Sequence, residues 1–185
     1  NVANYIKNQE ALYLYQNERE FLKAKSTNEL RKKNGVKIKT LSKSEILDLE
    51  PSLAPVFYNG QIFVGSRHTT NPLMISKKIF ENFINRGGSF IKSEVNNLIS
   101  EDTAITLNYD HNDYKFDKVV VCAGAWSNNL SKKIGESFPL NTERGYHVMF
   151  NNYKLINRPI GWSQSGFYLV QLEEGLRAAG TVELA

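Results

Sequence analysis

A stretch that is apolar on both faces and ends in small residues limits the fold more than any other part of this chain. Residues 119–130 read VVVCAGAWSNNL: three valines and Cys122 run into Ala123-Gly124-Ala125, then Trp126 and a Ser-Asn helix start. A strand with apolar side chains on both faces belongs inside a covered sheet, usually a parallel one. Where such strands end, α/β proteins bind ligands in the crevice outside their C-terminal ends. Small residues there let backbone approach a flat or charged ligand, and a following helix offers free N–H groups. On spacing alone, tight packing of strand against helix accounts for Gly124 equally well.

Upstream, ALYLYQNE reads as a short strand and Glu18 to Lys33 as a helix ending at Asn34-Gly35. In LSKSEILDLEP, Ser42 and Glu45 form a capping box and Pro51 stops the helix. GQIFVG is a short strand. Asn71 caps and Pro72 opens a strong helix with Leu73, Ile75, Ile79, Phe80, Phe83 and Ile84 on one side, closed by Gly87-Gly88. The period then changes to two. SFIKSEVNNLI, AITLNYD and YKFDKVVVC are expected strands, the last two joined by a turn at residues 110–113. SNNLSKKIG is a short helix, and YHVMF, IGWSQ, FYLVQ and LRAAGTVEL are strands with a hairpin turn at Gly175. The expected class is α+β.

Several function classes drop out. His68, His111, His147 and Cys122 lack the spacing that holds a metal. One cysteine forms no internal disulfide and fits a reducing compartment. There is no G-x-S-x-G, no Walker loop and no G-x-G-x-x-G. No run approaches the ~18 apolar residues of a membrane span. The net charge of +4 comes largely from Lys23 to Lys39. With no aromatic side chains interleaved as stacking platforms, that run reads as a solvated helix face, and no nucleic-acid partner is expected. The chain opens on Asn rather than Met, and is expected to be a piece of a longer protein.

KVVVCAGAWSNNLSKKIG, then PLNTERGYHVMF, then FYLVQLEEGLRAAGTVELA resembles the FAD-dependent D-amino-acid oxidase and dehydrogenase superfamily. The likeness is to bacterial D-amino-acid dehydrogenases and glycine-oxidase-like enzymes above all. It covers most of the chain, including LSKSEILDLEPSL and the unit from Asn71 to Val95. It implies the middle of such an enzyme: a substrate domain with an antiparallel or mixed sheet plus helices, joined to central strands of a Rossmann-like FAD domain. The N-terminal βαβ unit and the C-terminal part of that domain are not in this sequence. The implied division is 1–70 and 136–185 for the substrate domain and 71–135 for the FAD domain.

The resemblance also implies roles. Glu94 and Val95 lie beside the adenosine part of FAD. Ala123, Gly124 and Ala125 pass the diphosphate and ribityl region, with Trp126 packed behind the turn as core or contact. Arg144, Gly145, Tyr146 and His147 lie near the substrate side of the flavin, His147 being able to take a proton. Tyr168 reaches the substrate carboxylate, and Arg67-His68 edges the pocket. The implied activity is oxidation of an amine, above all a D-amino acid, to an imino acid that water hydrolyses to a keto acid and ammonia. Glycine, sarcosine or another secondary amine is the alternative substrate, and a non-catalytic ligand-binding module the alternative class. Oxygen or a quinone is left open as electron acceptor. The expected location is cytoplasmic, with peripheral contact at the inner membrane face compatible with the basic N-terminal region. Alone, the fragment is expected to be inactive.

Overall fold

The computed structural model describes residues 1–184; Ala185, the last residue of the segment that carries the resemblance, lies outside them. Along the chain come β1 (Ile6–Lys7), β2 (Leu12–Tyr15), α1 (Glu18–Lys23), α2 (Lys25–Lys33), β3 (Ile38–Leu41), α3 (Lys43–Leu49), β4 (Asn59–Phe63), β5 (His68–Thr69) and α4 (Pro72–Asn85). There follow β6 (Asn97–Ser100), β7 (Ile105–Tyr109), β8 (Asn112–Phe116), α5 (Ser127–Ser131), β9 (Glu143–Asn151), β10 (Ile160–Trp162), β11 (Phe167–Leu172) and β12 (Gly175–Leu184). The class is α+β. Two compact units share the chain: Asn1–Arg86 with Gly145–Val182, and Gly87–Arg144 with the residues from Glu183.

The first unit is built on a mixed seven-stranded sheet, in the order β3-β4-β2-β10-β11-β12-β9. Strands β2 and β10 run parallel, while β3–β4, β4–β2, β10–β11 and β11–β12 are antiparallel. The alternation of LYLY divides the sheet into two chemistries. Leu12 and Leu14 face a buried cluster with Leu41, Ile46, Ile62, Ile160 and Leu176. Each such leucine contributes about 1.5–3 kcal/mol by leaving water. Tyr13 and Tyr15 point to the opposite face.

Helix α3 closes the apolar face. Ser42 and Glu45 form the expected capping box. Just beyond its end, the fully buried Glu50 accepts from the Asn157 backbone N–H at 2.9 Å and from Arg158 Nε at 3.0 Å. A buried carboxylate requires such partners, and here they tie α3 to the loop entering β10. The helix expected over Glu18–Lys33 is broken in two at Ala24. Helix α4 starts as the sequence indicates, with the Asn71 side chain accepting from Met74 N. Its Leu73, Ile79, Phe80 and Phe83 are exposed.

The second unit carries the antiparallel meander β6-β7-β8. Asp110 and His111 turn β7 into β8 with φ of 50° and 61°, the two-residue geometry that matches strand twist. Two expectations are corrected here. Most of SFIKSEVNNLI is not strand, since β6 begins only at Asn97. The valine-rich stretch forms none: β8 ends at Phe116, and Val120 is 83% exposed. A strand is defined by a ladder partner, and among the described residues no strand runs beside 119–122.

Candidate functional site

The polar face of the first unit's sheet is where reactive side chains collect. At one end α2 covers it: Asn28 Nδ2 and the Tyr15 hydroxyl both donate to Gln61 Oε1, at 2.7 and 2.8 Å. Next to this covered end the face opens into a cavity of about 460 Å³, lined by Tyr13, Arg67, His68, Pro72, Gly161, Tyr168, Val170 and Arg177 among others. Ligand pockets of roughly 300–1,000 Å³, apolar with a few convergent polar groups, are the usual size and chemistry of a small-molecule site.

Strand register explains the convergence. Gly161 pairs with Tyr13 on one side and Tyr168 on the other, and Val170 pairs with Arg177. Residues paired across strands share a face, as do residues two apart along one strand. Tyr13, Tyr168, Val170 and Arg177 therefore stand on the same surface.

The electrostatics are one-sided. Two guanidinium groups, an imidazole and two phenols line the cavity, and among the described residues no carboxylate does. Arg177 Nε is buried without a hydrogen-bond partner, which is uncommon for a buried donor. Burial, then the hydroxyl of Tyr168, pushes the Tyr13 phenol up to about 12. His68 Nδ1 lies 3.3 Å from the Gln9 carbonyl. Because a carbonyl only accepts, Nδ1 carries the proton, and in the neutral ring Nε2 keeps its lone pair. The arrangement suits an anionic ligand.

Of the residues singled out from sequence, Arg67, His68 and Tyr168 come together in this cavity. Tyr146 and His147 line a different one, of about 360 Å³, with Ser165, Phe167 and Gly180. Arg144 pairs with Glu183 at 3.4 Å. Tyr13, Gly161 and Arg177 were missed. The signal for Arg177 was present: a tight turn at Glu173-Glu174 sets Leu172 opposite Gly175 and so Arg177 opposite Val170.

In the second unit, Gly124 has φ +55°, and a Cβ there would meet no atom within 4 Å. Tight packing therefore does not account for this glycine. Positive φ favours it, and the space beside it is open. Trp126 is 72% exposed and does not pack behind the turn as core. Glu94 is exposed and Val95 half-buried in the irregular segment before β6. An open small-residue turn fits a cofactor lying directly against backbone.

A model of the family described as FAD dependent oxidoreductase matches residues 4–185. The chain belongs to that family. It is 32% identical over 158 residues to a D-amino-acid oxidase of Bradyrhizobium diazoefficiens, covering 84% of this chain and 38% of that protein. To a D-amino acid dehydrogenase of Vibrio vulnificus it is 22% identical over 184 residues, 96% of this chain and 44% of the relative. Among solved structures, a glycine oxidase from Geobacillus kaustophilus superposes with a TM-score of 0.83 at 18% identity, over 98% of this chain and 49% of that one. An L-alpha-glycerophosphate oxidase from Mycoplasma pneumoniae, solved with FAD bound, gives 0.84 at 21% identity, over 97% and 51%. The chain thus spans less than half the length of these two curated relatives. The family it belongs to is FAD-dependent. No helix among the described residues is long and apolar enough to cross a membrane.

Proposed function

We propose that the protein containing this chain oxidises an amine, in first place a D-amino acid, to an imino acid that water hydrolyses to a keto acid and ammonia. The observation that carries this reading is the cavity that gathers Tyr168 and Arg177, whose buried Nε has no hydrogen-bond partner, with no carboxylate in its lining among the described residues. The 32% identity to a D-amino-acid oxidase supports the choice of substrate. FAD, when bound, supplies the two-electron oxidising power.

The chain's own residues bind and orient. Tyr168, a neutral donor on a rigid ring, directs the substrate carboxylate, and Arg177 neutralises it. Nε of Arg177 has no protein partner to give up on binding. Arg67 and His68 stand at the edge, where His68 can accept a proton from the substrate ammonium. Val170 and Pro72 supply apolar wall for the side chain. Ala123, Gly124 and Ala125 offer backbone to the cofactor, with Glu94, Val95, Trp126, Arg144 and Gly145 as further contacts. In this reading residues 1–70 and 136–185 belong to the substrate domain, from which Arg144 and Gly145 reach the cofactor, and 71–135 belong to the FAD domain, with Pro72 at its edge. The chain alone turns over nothing.

The test is an anaerobic visible spectrum of the full-length protein before and after addition of a pool of D-amino acids. Bleaching of the oxidised flavin band supports the proposal. A flavin band that bleaches only with glycine or sarcosine moves the substrate to that group. A protein purified without flavin that takes up none from solution overturns the enzyme reading in favour of a ligand-binding module.

A further inference from the structure

Helix α2 is amphipathic in reverse. Its inward side is polar: Asn28, buried, donates to Gln61 Oε1 at 2.7 Å, and Arg31 donates to Asn28 Oδ1 at 2.9 Å. The Arg31 guanidinium carbon also lies 5.0 Å from the centroid of the Phe63 ring. Leu30 stands two positions on from Asn28, about 200° around the helix, and is 61% exposed. A helix packed on a globular core turns its leucines inward. Two more aliphatic side chains close by in the chain are also exposed, Leu22 on α1 and Val36 in the loop after α2.

The charge around these side chains is one-sided. Residues 22–43 hold eight of the 23 Lys and Arg and one of the 19 Asp and Glu, so this segment carries +7 and the rest of the chain −3. Lys25, Lys32, Lys33, Lys37 and Lys43 are all exposed. Lysines also guard the open edge of a sheet, which accounts for Lys39 on β3, the outermost strand. Edge protection gives no reason to turn leucines outward. Cations interspersed with aliphatic side chains match a surface that is negative at its head groups and hydrocarbon beneath. A nucleic acid would call for flat rings under its bases, and Leu22, Leu30 and Val36 are aliphatic. We propose that the edge of the first unit formed by α1, α2 and β3 docks on an anionic lipid surface. Leu22, Leu30 and Val36 enter the head-group layer, and the lysines meet the lipid phosphates.

The surface is tested by vesicle flotation of the full-length protein, on phosphatidylcholine alone and on phosphatidylcholine mixed with phosphatidylglycerol. Wild type floats with the anionic vesicles and not with the neutral ones, and its binding falls as salt is raised. Lys32→Gln and Lys33→Gln each weaken binding roughly fivefold, and the double variant by about the product. Leu22→Ser combined with Leu30→Ser weakens it on the order of tenfold. All four side chains are exposed, so the variants keep the wild-type melting midpoint, which shows that they are folded. Heparin, a polyanion without hydrocarbon, separates lipid from phosphate alone. Binding to heparin that ignores the leucine changes, with no flotation on anionic vesicles, replaces the lipid surface with a soluble polyanion and overturns the proposal. Equal flotation on neutral vesicles overturns it as well, as does flotation that survives both the lysine and the leucine changes.

Discussion

Arg177 occupies a chemically exposed position in a physically sheltered place. It stands on β12 opposite Val170, half-buried, with its Nε shielded from water and unpartnered. A buried donor without an acceptor costs about 1–3 kcal/mol, so its removal does not weaken the fold and its satisfaction by a ligand favours binding. Arg177→Met, which keeps chain length and apolar stem, is therefore expected to leave the thermal midpoint unchanged or raised. The same change weakens carboxylate ligands at least tenfold, by the 1.5–3 kcal/mol of a hydrogen bond to a charged group. Calorimetric titration with benzoate beside a melting curve checks both halves; a large drop in midpoint assigns Arg177 to structure instead. At this scale the sequence exposed chemistry better than neighbourhood. Tyr168, Arg67 and His68 were singled out through the family resemblance, and the structure places all three in one cavity. Tyr13 looked like one tyrosine in an alternating strand, because its partnership with Tyr168 needs a parallel pairing of β2 with β10 that no local pattern encodes.

Among the elements, α3 shows how far local chemistry reaches. Glu45 Oε2 accepts from the Ser42 backbone N–H at 2.9 Å, while Ser42 Oγ accepts from Glu45 N at 3.3 Å. The Ser42 backbone bond, then the Ser42 hydroxyl, then Lys39 hold the Glu45 carboxyl below its ordinary range. A carboxyl depressed in the folded state adds stability that is complete above its unfolded pKa, about 4.3, and is lost as pH falls through the lower folded value. Wild type is thus expected to exceed Glu45→Gln in urea midpoint at pH 7, the gap closing as pH falls below about 4. A gap that persists at pH 2.5 refutes an ionic origin. Such caps are written in four consecutive residues and were legible. The stretch 119–122 was not, for the opposite reason: three valines and a cysteine give a propensity, but a strand exists only beside another strand. The break at Ala24 likewise left no trace in composition, since neither proline nor glycine marks it.

For the whole molecule, the two units differ in what they can do unaided. The first has its own apolar cluster beneath a seven-stranded sheet and an intact cavity on the other face. The second presents an open turn, with Val120 83% and Trp126 72% exposed and empty space beside Gly124. Cofactor sites bury most of the surface of what they hold, roughly 70–90% for a drug-sized ligand. One exposed turn supplies a single wall. The isolated 185-residue chain is therefore expected to bind carboxylates through its first unit yet hold FAD only weakly, while the full-length protein retains FAD through purification. Equilibrium dialysis of the isolated chain against FAD, with benzoate calorimetry on the same preparation, separates the two functions. Stoichiometric FAD binding at micromolar concentration shows that the second unit is a sufficient cofactor site. Benzoate binding without FAD binding shows instead that substrate recognition is complete in this chain while cofactor retention depends on contacts that it does not supply.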